Sequence, residues 1–227
     1  MSEKKSKGQE RYDELAYEKK NYFTVASKEE RKAIFDYAEG YKTFLDNAKT
    51  EREACEVAVK MAKDAGFTEY KFGDKLGAGD KKYFVNRGKS VVVFRVGTKN
   101  LEEDGFRLIA SHIDAPRVDI KQNPLYEEAG LCFLKTHYYG GIKKYQWTTI
   151  PLALHGVVVL KNGKKVEIKV GEDPADPVFY IDDLLPHLGA EQMAKGGAKI
   201  IEGEQLNVVV GSMPYDDEKV EKKIKLT

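Results

Sequence analysis

His112 and Asp114 form an H-x-D pair at the end of an apolar run, Phe106-Arg107-Leu108-Ile109-Ala110-Ser111, with Ala115-Pro116 behind it. That pairing suits a metal. A neutral imidazole binds a cation through one nitrogen and gives its other N–H to a carboxylate, which fixes the tautomer and the ring orientation. A carboxylate two residues on, past a strand end, can lie near that ring. Zinc asks for three or four ligands drawn from His, Cys, Asp and Glu. So short a pattern recurs by chance, and on spacing alone a loop histidine is its commoner origin.

The other candidates are few. His137 lies between aromatics in Lys135-Thr136-His137-Tyr138-Tyr139-Gly140-Gly141 and reads as packed. His155, between Leu154 and Gly156, reads as buried and hydrogen-bonded within a strand. His187 follows Asp182-Asp183-Leu184-Leu185-Pro186 and reads either as a histidine in an acidic neighbourhood or as part of a surface loop. Cys55 and Cys132 are too few for a disulfide framework or a cysteine-rich zinc site, and read as reduced, partly buried thiols. No glycine-rich loop with a following Lys-Ser/Thr supports nucleotide binding. No G-x-S-x-G elbow supports that serine-hydrolase arrangement. Lys143-Lys144-Tyr145-Gln146-Trp147 mixes basic and aromatic residues but reads better as a solvated strand edge than as a nucleic-acid surface.

The elements that must position these residues change along the chain. Ser27-Lys28-Glu29-Glu30 and Thr50-Glu51-Arg52-Glu53 both match a capping box. Behind them, Ile34 to Ala48 and Ala54 to Ala65 place apolar residues at helical spacing, so each helix is expected to bury one side. Gly66 stands where a left-handed residue stops a helix. Ser90 to Val96 and Phe106 to Ser111 read as near-continuous apolar strands of a buried sheet. Pro116 puts His112 and Asp114 at a strand end or in the loop after it, where α/β sheets form sites. From Arg117 to Ser212 the pattern turns to short strands and turns, with candidates at Leu131–Tyr139, Pro177–Ile181 and Leu206–Val210. Asn162-Gly163 between two β-branched runs predicts a hairpin. The charged tail, Asp216 to Lys225, carries no cap or stop signal.

Composition bounds the class. The chain has 227 residues, 41% apolar and 33% charged, with 13 Tyr and 10 Phe, enough to fill a core. A net charge of +1 gives no general attraction for a polyanion, so nucleic acid is not an expected partner. No apolar run approaches the ~20 residues that cross a bilayer, so no membrane partner is expected. The polar start, Met1-Ser2-Glu3-Lys4-Lys5, lacks the apolar core of a signal peptide, and a cytoplasmic protein is expected.

Several longer motifs, in one order, carry a resemblance. Ser111-His112-Ile113-Asp114-Ala115-Pro116-Arg117-Val118-Asp119 resembles the metal-binding segment of the aspartyl aminopeptidase and aminopeptidase I family. Lys121 to Glu127, Lys135 to Trp147, Ile150 to Gly156, Asp182 to Leu188 and Phe35 to Leu45 are similar to other segments of that family, closest to its bacterial members. The resemblance implies a zinc exopeptidase that removes an N-terminal residue, often acidic, from peptides. It implies an α/β catalytic domain interrupted by an inserted β-rich dimerisation domain. Residues 1–116 would be the N-terminal part of the first, and 117–227 the second. It maps the first metal ligand onto His112 and its supporting aspartate onto Asp114. His187 would reach a neighbouring subunit's site and steady the transition state there. Asp114 and His187 are thus the implied catalytic residues.

The same resemblance implies two zinc ions per complete site, a peptide substrate, and a homo-oligomer, a dimer building up to a dodecamer. Family members are longer. Their bridging aspartate, their glutamate pair, a further aspartate and a final histidine follow the dimerisation domain. Glu102-Glu103 and Glu127-Glu128 do not stand in that position. The chain is therefore expected to be the N-terminal half of such an enzyme, incomplete in its zinc site and inactive alone. A non-catalytic dimerisation or assembly module is the alternative.

Overall fold

The computed structural model describes residues 5–17, 19–217 and 219. Most of the charged tail lies outside the described residues. The chain divides into two compact units, Met1–Asn47 and Ala48–Thr227.

The first unit is helical. Helix α1 (Lys7–Leu15) starts at Ser6, whose Oγ accepts the Gln9 N–H at 3.2 Å. Helix α2 (Lys28–Asn47) starts with the expected reciprocal cap. The Ser27 N–H donates to Glu30 at 2.7 Å, and the Glu30 N–H donates to Ser27 Oγ at 3.1 Å. Tyr22 Oη donates to the same Glu30, and Phe23 meets Phe35 at 6.1 Å between ring centres. The expected burial of one side does not follow: α2 has no buried residue, and Phe35, Tyr37, Tyr41 and Leu45 stay exposed. Within its own unit, little besides the Tyr22–Phe23 turn is there to cover that face.

The second unit opens with α3 (Glu51–Asp64), capped by Thr50 and Glu53 in a full capping box. Gly66 follows at φ +81°. Ala54, Cys55 and Ala62 are buried on this helix. Losing the cap should be measurable: Thr50→Ala is expected to cost about 1 kcal/mol in urea unfolding, and Thr50→Ser much less.

Strands β1 (Thr68–Glu69), β2 (Lys81–Asn86) and β3 (Ser90–Arg95) form the first sheet in that order. β1 runs parallel to β2, which pairs antiparallel with β3, Tyr83 opposite Val93. Val92 and Val93 remain exposed, so the continuous apolar run does not mark a sheet buried on both faces. After β3 comes a single turn, α4 (Leu101–Asp104), closed by Gly105 at φ +66°. Phe106–Ser111, expected as a strand, forms no ladder. Phe106, Leu108 and Ile109 are 75%, 74% and 97% exposed. A strand needs a neighbour for its N–H and C=O groups, and no described strand lies beside this run.

Strand β4 (Arg117–Glu128) pairs antiparallel with β5 (Leu131–Tyr139). A two-residue turn joins them, with Ala129 at φ +51° and Gly130 at φ +77°, the conformation that suits the twist of a tight hairpin. Pro124 falls where the register shifts between Ile120 and Leu125, on an edge strand, the places that tolerate a missing N–H. Strands β6 (Leu154–Val159) and β7 (Lys165–Val170) make the hairpin that Asn162-Gly163 predicts. Pro177–Ile181 yields only isolated bridges, Leu152 to Phe179 and Tyr180 to Val209. A short α5 (Ala190–Met193) precedes β8 (Val208–Gly211), which pairs with β5. The result is a mixed α/β fold of small sheets.

The core beside β5 and β8 is Ile181, Ile201 and Leu206, with Ile142, Trp147, Leu152, Ile200 and Val208 packed around it. Buried Thr136 Oγ1 donates to the Leu206 carbonyl. Lys144–Gln146 is a single 3₁₀ turn that delivers Trp147 to this core, so the stretch is not a solvated strand edge. Cys55 and Cys132 are buried, as read from their type. Among the described residues no helix is long and apolar enough to cross a membrane.

Candidate metal-site segment and its supports

His112 and Asp114 lie in the irregular segment between Gly105 and β4. The pair forms the contact its spacing suggests. His112 Nδ1 sits 2.9 Å from the Asp114 main-chain oxygen and 3.2 Å from Asp114 Oδ1. A carbonyl oxygen only accepts, so Nδ1 is the donor in this contact, and Nε2 is the ring nitrogen left for a ligand. The His112 side chain is 82% exposed, which leaves that nitrogen open to a ligand.

The sheet supports this segment. Register pairs Arg117 with Tyr139 at the end of the β4–β5 ladder. Tyr139 Oη donates to Asp114 Oδ2 at 2.7 Å. That bond is the main reason the Asp114 carboxyl is held below the usual carboxylate range, and the same contact pushes the Tyr139 phenol up. The Arg117 guanidinium covers the Tyr139 ring at 4.3 Å. It is itself held by Asp119 at 2.7 Å and by Glu51 of α3 at 2.8 Å. Directly after Tyr139, Gly140 turns the chain at φ +81° with Pro116 close by: a Cβ there would stand 3.5 Å from the proline.

A second cluster involves His155. Its side chain is 11% exposed, as expected for a buried, hydrogen-bonded strand residue. Nδ1 faces Glu53 Oε1 at 2.9 Å and Nε2 faces Glu172 Oε1 at 2.8 Å. Lys169 Nζ adds a contact to Glu53 at 3.3 Å. Burial alone would raise the Glu53 pKa; the bond and charge of His155, with Thr50 and Lys169, outweigh it and hold the carboxyl below its ordinary range. Glu53, His155 and Arg117 line a cleft of about 710 Å³ that also takes in Trp147 and Phe179.

The remaining histidines stay apart. His137 is exposed and stacks on Tyr138 at 5.5 Å, so it is not the packed residue its aromatic neighbours suggest. His187 is exposed in the turn after Pro186, beside exposed Leu184, Leu185 and Leu188. No hydrogen bond or ion pair joins it to His112 or Asp114 among the described residues. Nor do the described residues gather three or more His, Cys, Asp or Glu into a metal-binding group. The donor set therefore fits one arm of a zinc site: an imidazole nitrogen with its orienting carboxylate in place. A closed site needs further ligands.

Sequence reasoning anticipated the His112–Asp114 contact and the buried, hydrogen-bonded setting of His155, but gave Tyr139, Arg117 and Glu51 no part in holding Asp114. The β4–β5 register sets Arg117 opposite Tyr139, and Glu51 of α3 adds its hold on Arg117.

Comparison with known proteins agrees with the motif order. Residues 44–226 match the family model described as aminopeptidase I zinc metalloprotease (M18). A Clostridium acetobutylicum protein named "Probable M18 family aminopeptidase 1" is 45% identical over 217 residues, covering 94% of this chain and 46% of that relative. The crystal structure of an M18-family aminopeptidase from Thermotoga maritima superimposes with a TM-score of 0.83 at 38% identity, covering 93% of this chain and 45% of that one. The structure of the yeast mApe1 dodecamer shares the fold, with a TM-score of 0.59 at 24% identity over 81% of this chain and 40% of that one. The chain thus spans just under half the length of these two bacterial relatives. On the family match, it belongs to the aminopeptidase I (M18) family of zinc metalloproteases.

Proposed function

We propose that these residues are the N-terminal half of a zinc aminopeptidase that removes N-terminal residues, acidic ones among them, from peptides. The observation that carries the reading is His112, held by Asp114 with Nε2 exposed. His112 would be the first zinc ligand, and Asp114 would hold its tautomer. The other ligands and the general base would come from residues outside this sequence. Zinc, two ions in the complete site, would polarise the scissile carbonyl and make hydroxide available near neutral pH. His187 of a neighbouring subunit would donate to the developing oxyanion, where a pre-placed donor acts most strongly.

In this reading residues 1–116 belong to the catalytic domain and 117–227 to the inserted dimerisation domain. The exposed Phe106–Ile109 run would then be covered by sheet from the remaining half. Subunits would pair through the β region and assemble further, up to a dodecamer. The test is to recover the native protein from its source cells with an antibody to this chain. The expected result is a species heavier than 25.6 kDa. It should hydrolyse aspartyl or leucyl p-nitroanilide, lose activity to a zinc chelator and regain it with zinc. A second reading, a non-catalytic assembly module, is favoured by the exposed Leu184, Leu185 and Leu188 of the β region. An inactive native species of 25.6 kDa would put that reading first.

A further inference from the structure

We propose that Tyr139 is the positioning residue for the His112 ligand arm: its phenol pins Asp114, and Asp114 in turn holds the imidazole with Nε2 outward. The inference rests on the aminopeptidase reading above for its consequence in catalysis, but its geometry stands within this chain.

The argument starts from what each group is attached to. His112 and Asp114 sit in a segment without regular structure, so their own backbone gives them little rigidity. An aspartate's terminal torsion is soft and roughly two-fold. With only Oδ1 engaged, at 3.2 Å from His112 Nδ1, the carboxylate could swing away. Tyr139 closes that freedom, because its Oη takes Oδ2 at 2.7 Å. Tyr139 is the last residue of β5, and its ladder partner is Arg117. Arg117 covers the ring face at 4.3 Å while Glu51 and Asp119 hold the guanidinium at 2.8 and 2.7 Å. Gly140 then turns the chain at φ +81° next to Pro116, the residue before β4 begins. Rigidity therefore runs from sheet to tyrosine, from tyrosine to carboxylate, and from carboxylate to imidazole. Outer groups that orient a metal ligand in this way typically account for about 10–100-fold in metal affinity or activity.

Tyr139→Phe tests this, since it removes one oxygen and keeps the ring under Arg117. The first readout is the side-chain nitrogen NMR spectrum of His112 in the native protein freed of zinc. Wild type should show the Nδ1–H tautomer with a bare Nε2. The Phe variant should move toward the tautomer mixture of a free imidazole, with the rest of the spectrum unchanged. The second readout is zinc affinity of the native protein by chelator competition, expected to fall about 10–100-fold with the melting temperature unchanged. An unaltered His112 tautomer together with unaltered zinc affinity would overturn the proposal. So would a tautomer change seen only with general loss of the folded spectrum. A native protein without zinc or peptidase activity would instead defeat the aminopeptidase reading, while the His112 spectrum would still decide the role of Tyr139.

Discussion

On the proposed reading, in which His187 donates to the oxyanion in a neighbour's site, replacing it with Ala is expected to lower kcat of the native protein by about 10²–10³-fold, the loss seen when one oxyanion donor is removed. KM should change little, because the oxyanion exists only at the transition state and the ground-state substrate gives the donor nothing to hold. The side chain is free for such a role: it is exposed in its turn and makes no bond to His112 or Asp114 among the described residues. Its neighbours argue for delivery across an interface. Leu184, Leu185 and Leu188 are 55%, 67% and 73% exposed, a cluster that a subunit contact would cover. His187→Gln keeps an N–H donor and should recover part of the rate. Mixed oligomers of His187→Ala and His112→Ala subunits should regain activity that neither variant has alone, because some sites then combine intact halves. A His187→Ala enzyme with undiminished kcat would remove this residue from the mechanism.

How far the sequence was legible follows from how local each signal is. The capping boxes at Ser27–Glu30 and Thr50–Glu53, the Gly66 stop and the Asn162-Gly163 turn are short-range, and each formed as expected. Signals that depend on a distant neighbour fared worse. Phe106–Ser111 has the composition of a strand, yet pairing is a property of two segments, and no described strand pairs with it. β4 is not among the expected strands; it pairs with β5 only through a register shift between Ile120 and Leu125, where Pro124 lies. The site divides the same way. H-x-D spacing puts Asp114 against His112, a contact within three residues. Tyr139 lies 25 positions from Asp114, and only the β4–β5 register brings it there. The family resemblance rested on motif order, and it assigned His112, Asp114 and His187 without exposing the supports behind them.

Glu53→Ala is expected to destabilise the second unit by about 3 kcal/mol, in the range for removing one partner of a buried ion pair. The carboxylate has two tasks. It completes the cap of α3, accepting from Thr50 at 3.0 Å, and it faces the His155 ring at 2.9 Å. Both side chains of the latter pair are 11% exposed, so water replaces little of what is lost. Glu172 remains on the other ring nitrogen, which keeps the cost toward the lower end. Glu53→Gln separates the two tasks, since glutamine still serves a capping box but carries no charge. The pH dependence then has a definite sign. The Glu53 pKa is lowered in the folded state, so its charge contributes stability above the ordinary glutamate pKa of about 4.3 and loses that contribution as pH falls through the folded value. In urea unfolding, the gap between wild type and Glu53→Gln should be full at neutral pH and close on acidification. A gap that persists in strong acid would mean that shape, not charge, holds this junction. The consequence reaches the candidate site. Glu51 and Glu53, in one helical turn, hold Arg117 on β4, His155 on β6 and Lys169 on β7. The first turn of α3 thereby anchors the β region and, through Arg117 and Tyr139, the carboxylate beside His112.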